Sequence, residues 1–454
     1  MAGLFHSRVK IALLALLLGG CGQVHEATLK NGLRVVVMED QRAPTVVSQV
    51  WYKVGSQDEP EGLTGVAHVL EHMMFKGTQR LKPNEFSRII AEHGGRENAF
   101  TGSDYTAYFQ QLEKSRLPIS FELEADRMLN LALKEEEFRK EIRVVMEERR
   151  LRTEDQPEAL LAEKFMATAY QVHPYKHPII GWMRDLEKMT VADVRAWYRR
   201  WYAPNNATVV VVGDVKAAEV FDLAEKYFGP IPARPIERVV APAEPRQEQA
   251  RRVRVAAPAE VPHLVLGYHA PVLTRADDWE PYALSVLAGV LDGGQSARFA
   301  RELVRGQKIA AGVDTDYSSI GRSPTLITFD GTPAQGRTIE ELERAIRAQV
   351  ERVKNEPVGA DELRRVKAQV AAADVYGRDS VFYQAMRLGM LETVGLDRRL
   401  LDEYVERINA VTAEQVREVA RKYLVDTNLT TAVLDPLPIN KRGGHAPAAV
   451  THGR

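Results

Sequence analysis

The stretch MTVADVRAWYRRWYAPNNATVVVVGD at 189–214 decides the fold, because it returns without a gap as VTAEQVREVARKYLVDTNLTTAVLDP at 411–436. Thr190 matches Thr412, Val194 matches Val416, Arg195 matches Arg417, Arg199 matches Arg421, Asn206 matches Asn428 and Val211 matches Val433. Each copy reads as a capped amphipathic helix, a short turn and a β-branched strand. A pattern that recurs with its punctuation intact marks an internal duplication rather than two unrelated domains.

Around the two copies, helical and strand patterns alternate. Leu33–Asp40 and Thr45–Gly55 read as strands, Thr64–Lys76 as a helix closed by Gly77, and Pro83–His93 as a helix closed by Gly94. Glu97–Leu112 is strand-like, and further helices follow. The expected class is α+β, two homologous domains in which helices pack on a mostly antiparallel sheet. The Pro- and Arg-rich stretch around 232–262 has neither period and reads as a linker. It divides a first domain at 21–231 from a second at 263–436, and the apolar-poor tail at 437–454 is expected to be disordered.

The 454 residues are 45% apolar and 27% charged, the make-up of a globular protein, and 61 Lys and Arg nearly balance 62 Asp and Glu. With no net field to recruit it, nucleic acid is not an expected partner. Residues 1–20 read as a signal peptide: Arg8 and Lys10 precede the apolar run Ile11–Leu18, and Gly19 and Gly20 follow. Leu18-Gly19-Gly20-Cys21 resembles a bacterial lipobox, and Cys21 is the single cysteine. The expectation is a lipoprotein of the bacterial cell envelope, anchored to the outer membrane through Cys21 and facing the periplasm, an exported chain without disulfides having kept its one thiol where lipidation would use it; a plain secretory signal is the alternative.

The chemistry is concentrated in GLTGVAHVLEHMMFKGT at 62–78. On a helix, His68, Glu71 and His72 fall within an arc of roughly 100°, with Val66, Leu70, Met73 and Met74 opposite. Two imidazoles at i and i+4 can ligate one Zn²⁺, and a carboxylate in the same arc can act on a water bound there. The bland alternative is the polar face of an amphipathic helix. A third ligand is sought on the Glu-rich helix Lys134–Asp155, whose core stripe is Phe138, Ile142 and Val145. Glu148 and Glu141 lie two turns apart on one flank of that stripe, whereas Glu147 points into solvent. Glu148 is the better ligand, and Glu141 is placed to orient a histidine from outside the coordination shell.

These segments, with ENAFTGSDYTAYF, EIRVVMEE, HPYKHPIIG and YAPNNATVVVVGD in the same order, resemble the pitrilysin-type inverted zincins, the family of insulin-degrading enzymes and mitochondrial processing peptidases. The resemblance runs from Thr28 to about Asp435 and is best with short bacterial members. It implies two related domains facing each other across a chamber, one Zn²⁺ held by His68, His72 and Glu148, and Glu71 as general base with Glu141 supporting catalysis. It also implies that the edge strand Asn98-Ala99-Phe100-Thr101, chiefly Asn98, Ala99 and Phe100, pairs with an extended peptide or unfolded protein substrate. The family's spacing from second His to distal Glu lands on Glu148, in agreement with the helical-face reading. The implied activity is a zinc metalloendopeptidase of the bacterial envelope; the alternative is a catalytically silent structural or binding subunit of a related complex. His93, His173, His177, His263 and His269 are read as structural or surface residues.

The second half has no such motif. Aligning PVGADELRRVKAQVAAAD on the Glu-rich helix puts Val366 opposite Glu141 and Ala373 opposite Glu148. The Arg and Tyr that the family's second half brings to the substrate carbonyl fall on Val304 (or the neighbouring Arg305) and Ala311. The resemblance therefore implies a heterodimer with a zinc-less homologous chain that keeps this pair, or alternatively a homodimer in which Tyr317 or another donor substitutes.

Overall fold

The computed structural model describes residues 23–238 and 240–439. The segment read as a signal peptide, Cys21 and the residues beyond Ile439 lie outside the described residues. The first half carries β1 (Val24–Thr28), β2 (Arg34–Glu39), β3 (Thr45–Tyr52), β4 (Arg96–Thr101), β5 (Thr106–Glu113) and β6 (Ala207–Gly213). Its helices are α1 (Val66–Met73), α2 (Glu85–Glu92), α3 (Leu117–Asn130), α4 (Glu135–Arg149), α5 (Pro157–Ala169), α6 (Met183–Leu186), α7 (Val191–Trp201) and α8 (Ala217–Tyr227). The second half carries β7 (Arg251–Pro258), β8 (His263–Ala270), β9 (Ala310–Tyr317), β10 (Thr325–Pro333) and β11 (Leu429–Leu437). Between them lie α9 (Trp279–Asp292), α10 (Ile339–Asn355), α11 (Ala360–Gly377), α12 (Val381–Val394), α13 (Leu400–Ala410) and α14 (Ala413–Tyr423).

Two sheets result, in the orders β1-β2-β6-β3-β5-β4 and β7-β11-β8-β10-β9. Apart from β1 they are the same sheet twice. In each, the last strand pairs parallel with the first strand of the repeat, β6 on β2 and β11 on β7, and every other pairing is antiparallel. The duplicated helices start alike: Thr190 and Asp193 form a capping box on α7, Thr412 and Gln415 one on α14.

One expectation is corrected. Residues 232–262 are not linker throughout, because 251–258 form β7, the counterpart of β2, which the repeat requires as parallel partner of its last strand. As an edge strand with Arg251, Arg252 and Arg254 it carries charge where sheet edges usually do, which hides its strand character in the sequence. The strand-like stretch at 97–112 is two strands, β4 and β5, joined through Gly102 and its neighbours.

The halves exchange one helix each. α12, from the second half, covers the outer face of the first sheet, where Ala385 and Leu388 pack with Val36, Val47, Trp51 and Val210. α5, from the first half, covers the second sheet, with Leu161 and Phe165 against Val255, Val265 and Ala432. This double cover explains why every residue of β6 is buried and its sequence, ATVVVVG, does not alternate. The exchange is tightest where glycine lets ring and backbone meet: a Cβ on Gly389 of α12 would lie 2.0 Å from the fully buried Trp51 ring, and one on Gly267 of β8 would lie 2.3 Å from Phe165. Gly389→Ala is therefore expected to destabilise by about 1–3 kcal/mol from overpacking, less about 1 kcal/mol of helix propensity gained. Gly359→Ala, with open space around it, is the control. Equal denaturation midpoints for the two variants would show that the seam yields freely.

Candidate active site

α1 is fixed at its start before it presents any chemistry. Gly65 at its N-cap has φ +85°, and a Cβ there would lie 2.6 Å from the Ile180 carbonyl oxygen. The buried Glu59 carboxylate accepts from the backbone N–H groups of Gly65 (2.8 Å) and Ala67 (2.9 Å), satisfying donors that a helix end leaves open. Val66, Leu70, Met73 and Met74 then pack into the first core, and His68, Glu71 and His72 turn together to the other side.

Those side chains meet α4. His68, His72 and Glu148 bring one potential ligand atom each within 4.8 Å of one another. His72 Nε2 lies 3.3 Å from Glu148 Oε2. Two ligands held tetrahedrally at about 2.1 Å from one zinc are about 3.4 Å apart, so the donors fit such an ion. The other ring nitrogen, His72 Nδ1, is 2.9 Å from Glu141 Oε1, and Lys76 Nζ holds the second Glu141 oxygen at 2.8 Å. Glu141 thus fixes the ring, leaving Nε2 for the centre. Glu147 is exposed and pairs with Arg150. Glu148 also receives Arg152 Nη1 at 2.6 Å.

The electrostatics match a cation centre. Burial, with His72 close by, pushes His68 down to about 4 and keeps its imidazole neutral, the form that ligates a metal. For His72, burial works against the charged form, but Glu141 and Glu148 outweigh it and hold the ring at about 9. In the protein without a metal, a proton sits where the two carboxylates call for positive charge. Burial raises Glu71, against the opposing Thr101 hydroxyl and His72.

The sequence reading placed Thr101 only on the substrate-pairing strand and gave it no contact to Glu71. Its hydroxyl donates to Glu71 Oε2 at 2.6 Å from the end of β4. The signal was there in the alternation of β4, since Ala99 and Thr101 face α1 while Phe100 packs edge-on against Trp51 at 5.3 Å between centroids. Ala99, Phe100 and Thr101 line the same cavity of about 560 Å³ as His68, Glu71 and Glu148; the exposed Asn98 does not. β4 is the outer strand of its sheet, so one side of its backbone is open to pairing. Thr101→Val should keep zinc content and lower kcat by about 10-fold, because Glu71 loses the hydrogen bond that orients it. An unchanged kcat would free Glu71 from that dependence.

The second half touches this region through Arg322, which binds both Asp58 oxygens at 2.7 and 3.0 Å and donates its backbone N–H to Asp104. Tyr175, on the cavity wall, donates to the same Asp104 at 2.7 Å. His173 and His177 are buried beside this junction, His177 Nε2 3.3 Å from Glu61. His93 and His263 bond Ile89 and Thr332, and His269 bonds Ala169.

In the second half α9 and α11 cross as α1 and α4 do. Burial follows the same order residue for residue from Val66–Met74 to Ala283–Leu291, which sets Ser285, Ala288 and Gly289 in the places of His68, Glu71 and His72. Val366, opposite Glu141, closes on Gly289, where an added Cβ would meet it at 2.7 Å. Among the described residues only one cluster able to hold a metal is formed. Val304 packs into the second core, Arg305 donates to Gln295, Ala311 is exposed on β9, and the Tyr317 hydroxyl is engaged by the Pro271 carbonyl at 2.5 Å.

Comparison with known proteins gives a consistent set of relatives. Residues 34–182 match the insulinase family model, peptidase family M16, and residues 188–370 match the peptidase M16 inactive domain. The zinc protease PqqE of Helicobacter pylori is 34% identical over 91% of this chain and 93% of its own. A crystal structure of a protease from Helicobacter pylori superposes with a TM-score of 0.87 at 32% identity, over 91% of this chain and all of that one. The periplasmic protease PqqL of Escherichia coli shares the fold, with a TM-score of 0.77 at 20% identity over 91% of this chain and 48% of that one.

Proposed function

The chain belongs to the insulinase family of peptidases, family M16, and from that premise we propose that it is a zinc-dependent endopeptidase acting on peptides or unfolded polypeptides in the bacterial envelope. The convergence of His68, His72 and Glu148, with Glu71 in the same cavity, carries the reading. A zinc ion held by the three residues supplies Lewis acidity towards a water and a peptide carbonyl. The chain's own groups do the rest. Glu71 takes the proton of the attacking water and returns it to the leaving amine. Thr101 holds the Glu71 carboxylate in one orientation, and Glu141 holds His72. The free edge of β4 receives the substrate backbone, so selection rests mostly on main-chain pairing.

Export as a lipoprotein anchored at Cys21 is part of the proposal. It rests on the leader and lipobox pattern, and the periplasmic Escherichia coli protease has the same fold. No helix among the described residues is long and apolar enough to cross a membrane. We also propose a heterodimer with a homologous chain lacking the zinc motif. Val304 and Ala311 carry no side-chain hydrogen-bond donor for a substrate oxyanion, Arg305 is engaged with Gln295, and the Tyr317 hydroxyl is already committed to Pro271.

The test is digestion of a mixed peptide library by the purified chain, alone and with a zinc-less homologue, before and after chelation. Cleavage that chelator abolishes and zinc restores is expected, strongest with the partner. Activity indifferent to chelator overturns the zinc reading; full activity of the lone chain, unchanged by any homologue, overturns the heterodimer.

A further inference from the structure

The hairpins at corresponding edges of the two sheets meet. β4 and β5 are joined by residues 102–105, and their counterparts β9 and β10 by residues 318–324, which carry Arg322. This second connection has a firm base: the Leu273 N–H donates to the Ser319 carbonyl at 2.8 Å, and the Tyr170 hydroxyl to that of Pro324 at 3.2 Å. From there the Arg322 guanidinium grips both oxygens of Asp58, whose side chain is 4% exposed, and the Arg322 N–H donates to the buried Asp104 at 2.9 Å. A charge-assisted pair made by a planar fork fixes orientation as well as distance.

Each of the two carboxylates begins a path to the active site. Asp58 also accepts from the Gly55 N–H at 3.0 Å, which closes the turn 55–58, and the next residue, Glu59, caps α1 through Gly65 and Ala67. Asp104 accepts from Gln57 Nε2 and from the Tyr175 hydroxyl on the cavity wall. It stands in the turn that ends β4, three residues after Thr101, the partner of Glu71. The two turns are joined directly. Ser56 and Gln57 donate their N–H groups to the carbonyls of Gly102 and Ser103 at 3.1 and 3.0 Å, and a Cβ on Gly55 would lie 2.4 Å from the Gly102 oxygen. The chain that leads into α1 and the chain that leaves β4 are thus held together at one point, and Arg322 fastens that point to the second half.

We propose that Arg322 is a positioning residue for peptide hydrolysis, through which the half without metal ligands sets α1 against β4. The inference rests on the catalytic reading above. α1 carries His68, Glu71 and His72, and β4 receives the substrate backbone, so their mutual placement decides how far the scissile carbonyl lies from the water that Glu71 activates. A misplacement of about 1 Å at such a centre costs about 10²-fold in rate.

Removing Arg322 alone strands a buried carboxylate, so the test uses the double variant Arg322→Met/Asp58→Asn, in which the amide oxygen at 58 can still accept from Gly55. Assays use the preparation, lone chain or chain with a zinc-less homologue, in which the wild type turns over fastest. Zinc content and denaturation midpoint are expected to stay close to wild type, with kcat about 10- to 100-fold lower. KM should stay within about threefold, because β4 keeps its pairing with β5 and its open edge. Hydrogen exchange at the Ser56 and Gln57 amides should quicken. Arg322→Lys, which keeps the charge without the fork, should retain more of kcat than the double variant. Wild-type kcat in the double variant overturns the proposal. So does a fall in kcat that comes with loss of zinc or of the fold, which makes Arg322 a structural strut, or one that leaves exchange at Ser56 and Gln57 unchanged, which takes the effect away from the joined turns. Turnover of the wild type that is indifferent to chelator overturns the catalytic reading and this inference together; a chelator-sensitive wild type matched by the double variant overturns this inference alone.

Discussion

Glu71→Gln is expected to keep its zinc and its fold and to lose about 10² to 10⁴ in turnover. The side chain lies in the cavity but outside the three-residue cluster, so the substitution removes no ligand. Gln is isosteric, and its carbonyl oxygen can still accept from Thr101, so position and packing are preserved. What disappears is the ability to take a proton. Because this group acts only as water attacks and the amine departs, the loss belongs in kcat, with KM nearly constant. Zinc content by elemental analysis, with kcat and KM on one peptide, separates the cases. Turnover near the wild-type value with zinc bound would move the base elsewhere; loss of zinc would make Glu71 a ligand.

How much of this was legible depends on how local the signal is. The His68 motif shows itself because one helix carries all three residues at helical spacing, and Glu148 can be told from Glu147 because it borders the core stripe of its helix whereas Glu147 lies on the opposite side. The repeat was legible through its caps and β-branched strand. β7 was not, since an edge strand rich in Arg looks like linker until its parallel partner β11 is known. Nor does any local period reveal which sheet a helix covers: only contacts such as Phe165 against Gly267 and Trp51 against Gly389 disclose the exchange of α5 and α12. Thr101 and Arg322 act across long sequence separations, to Glu71 and to Asp58, and such pairs become visible only when the sheet edge and the junction are built.

Zinc affinity should fall in a fixed order across three Glu→Gln variants of α4. At position 147 the side chain is exposed and pairs only with Arg150, so zinc binding is expected to be unchanged. At 141 the amide can still accept from His72 Nδ1, but the charge that favours that ring's orientation is lost, together with the Lys76 ion pair; supporting residues of this kind are worth about 10- to 100-fold in affinity. At 148 the substitution exchanges an anionic ligand for a weak neutral one and leaves two imidazoles, which rarely retain the ion. It also removes the negative charge that Arg152 pairs with at 2.6 Å, leaving the charge of that guanidinium uncompensated beside the centre. Glu148→Gln should therefore lose more than Glu141→Gln, beyond about 10²-fold. Competition with a chelator of known affinity reads all three. If Glu147→Gln loses as much zinc as Glu148→Gln, the third ligand is not on the flank of α4 that faces His72, and the assignment of the centre fails.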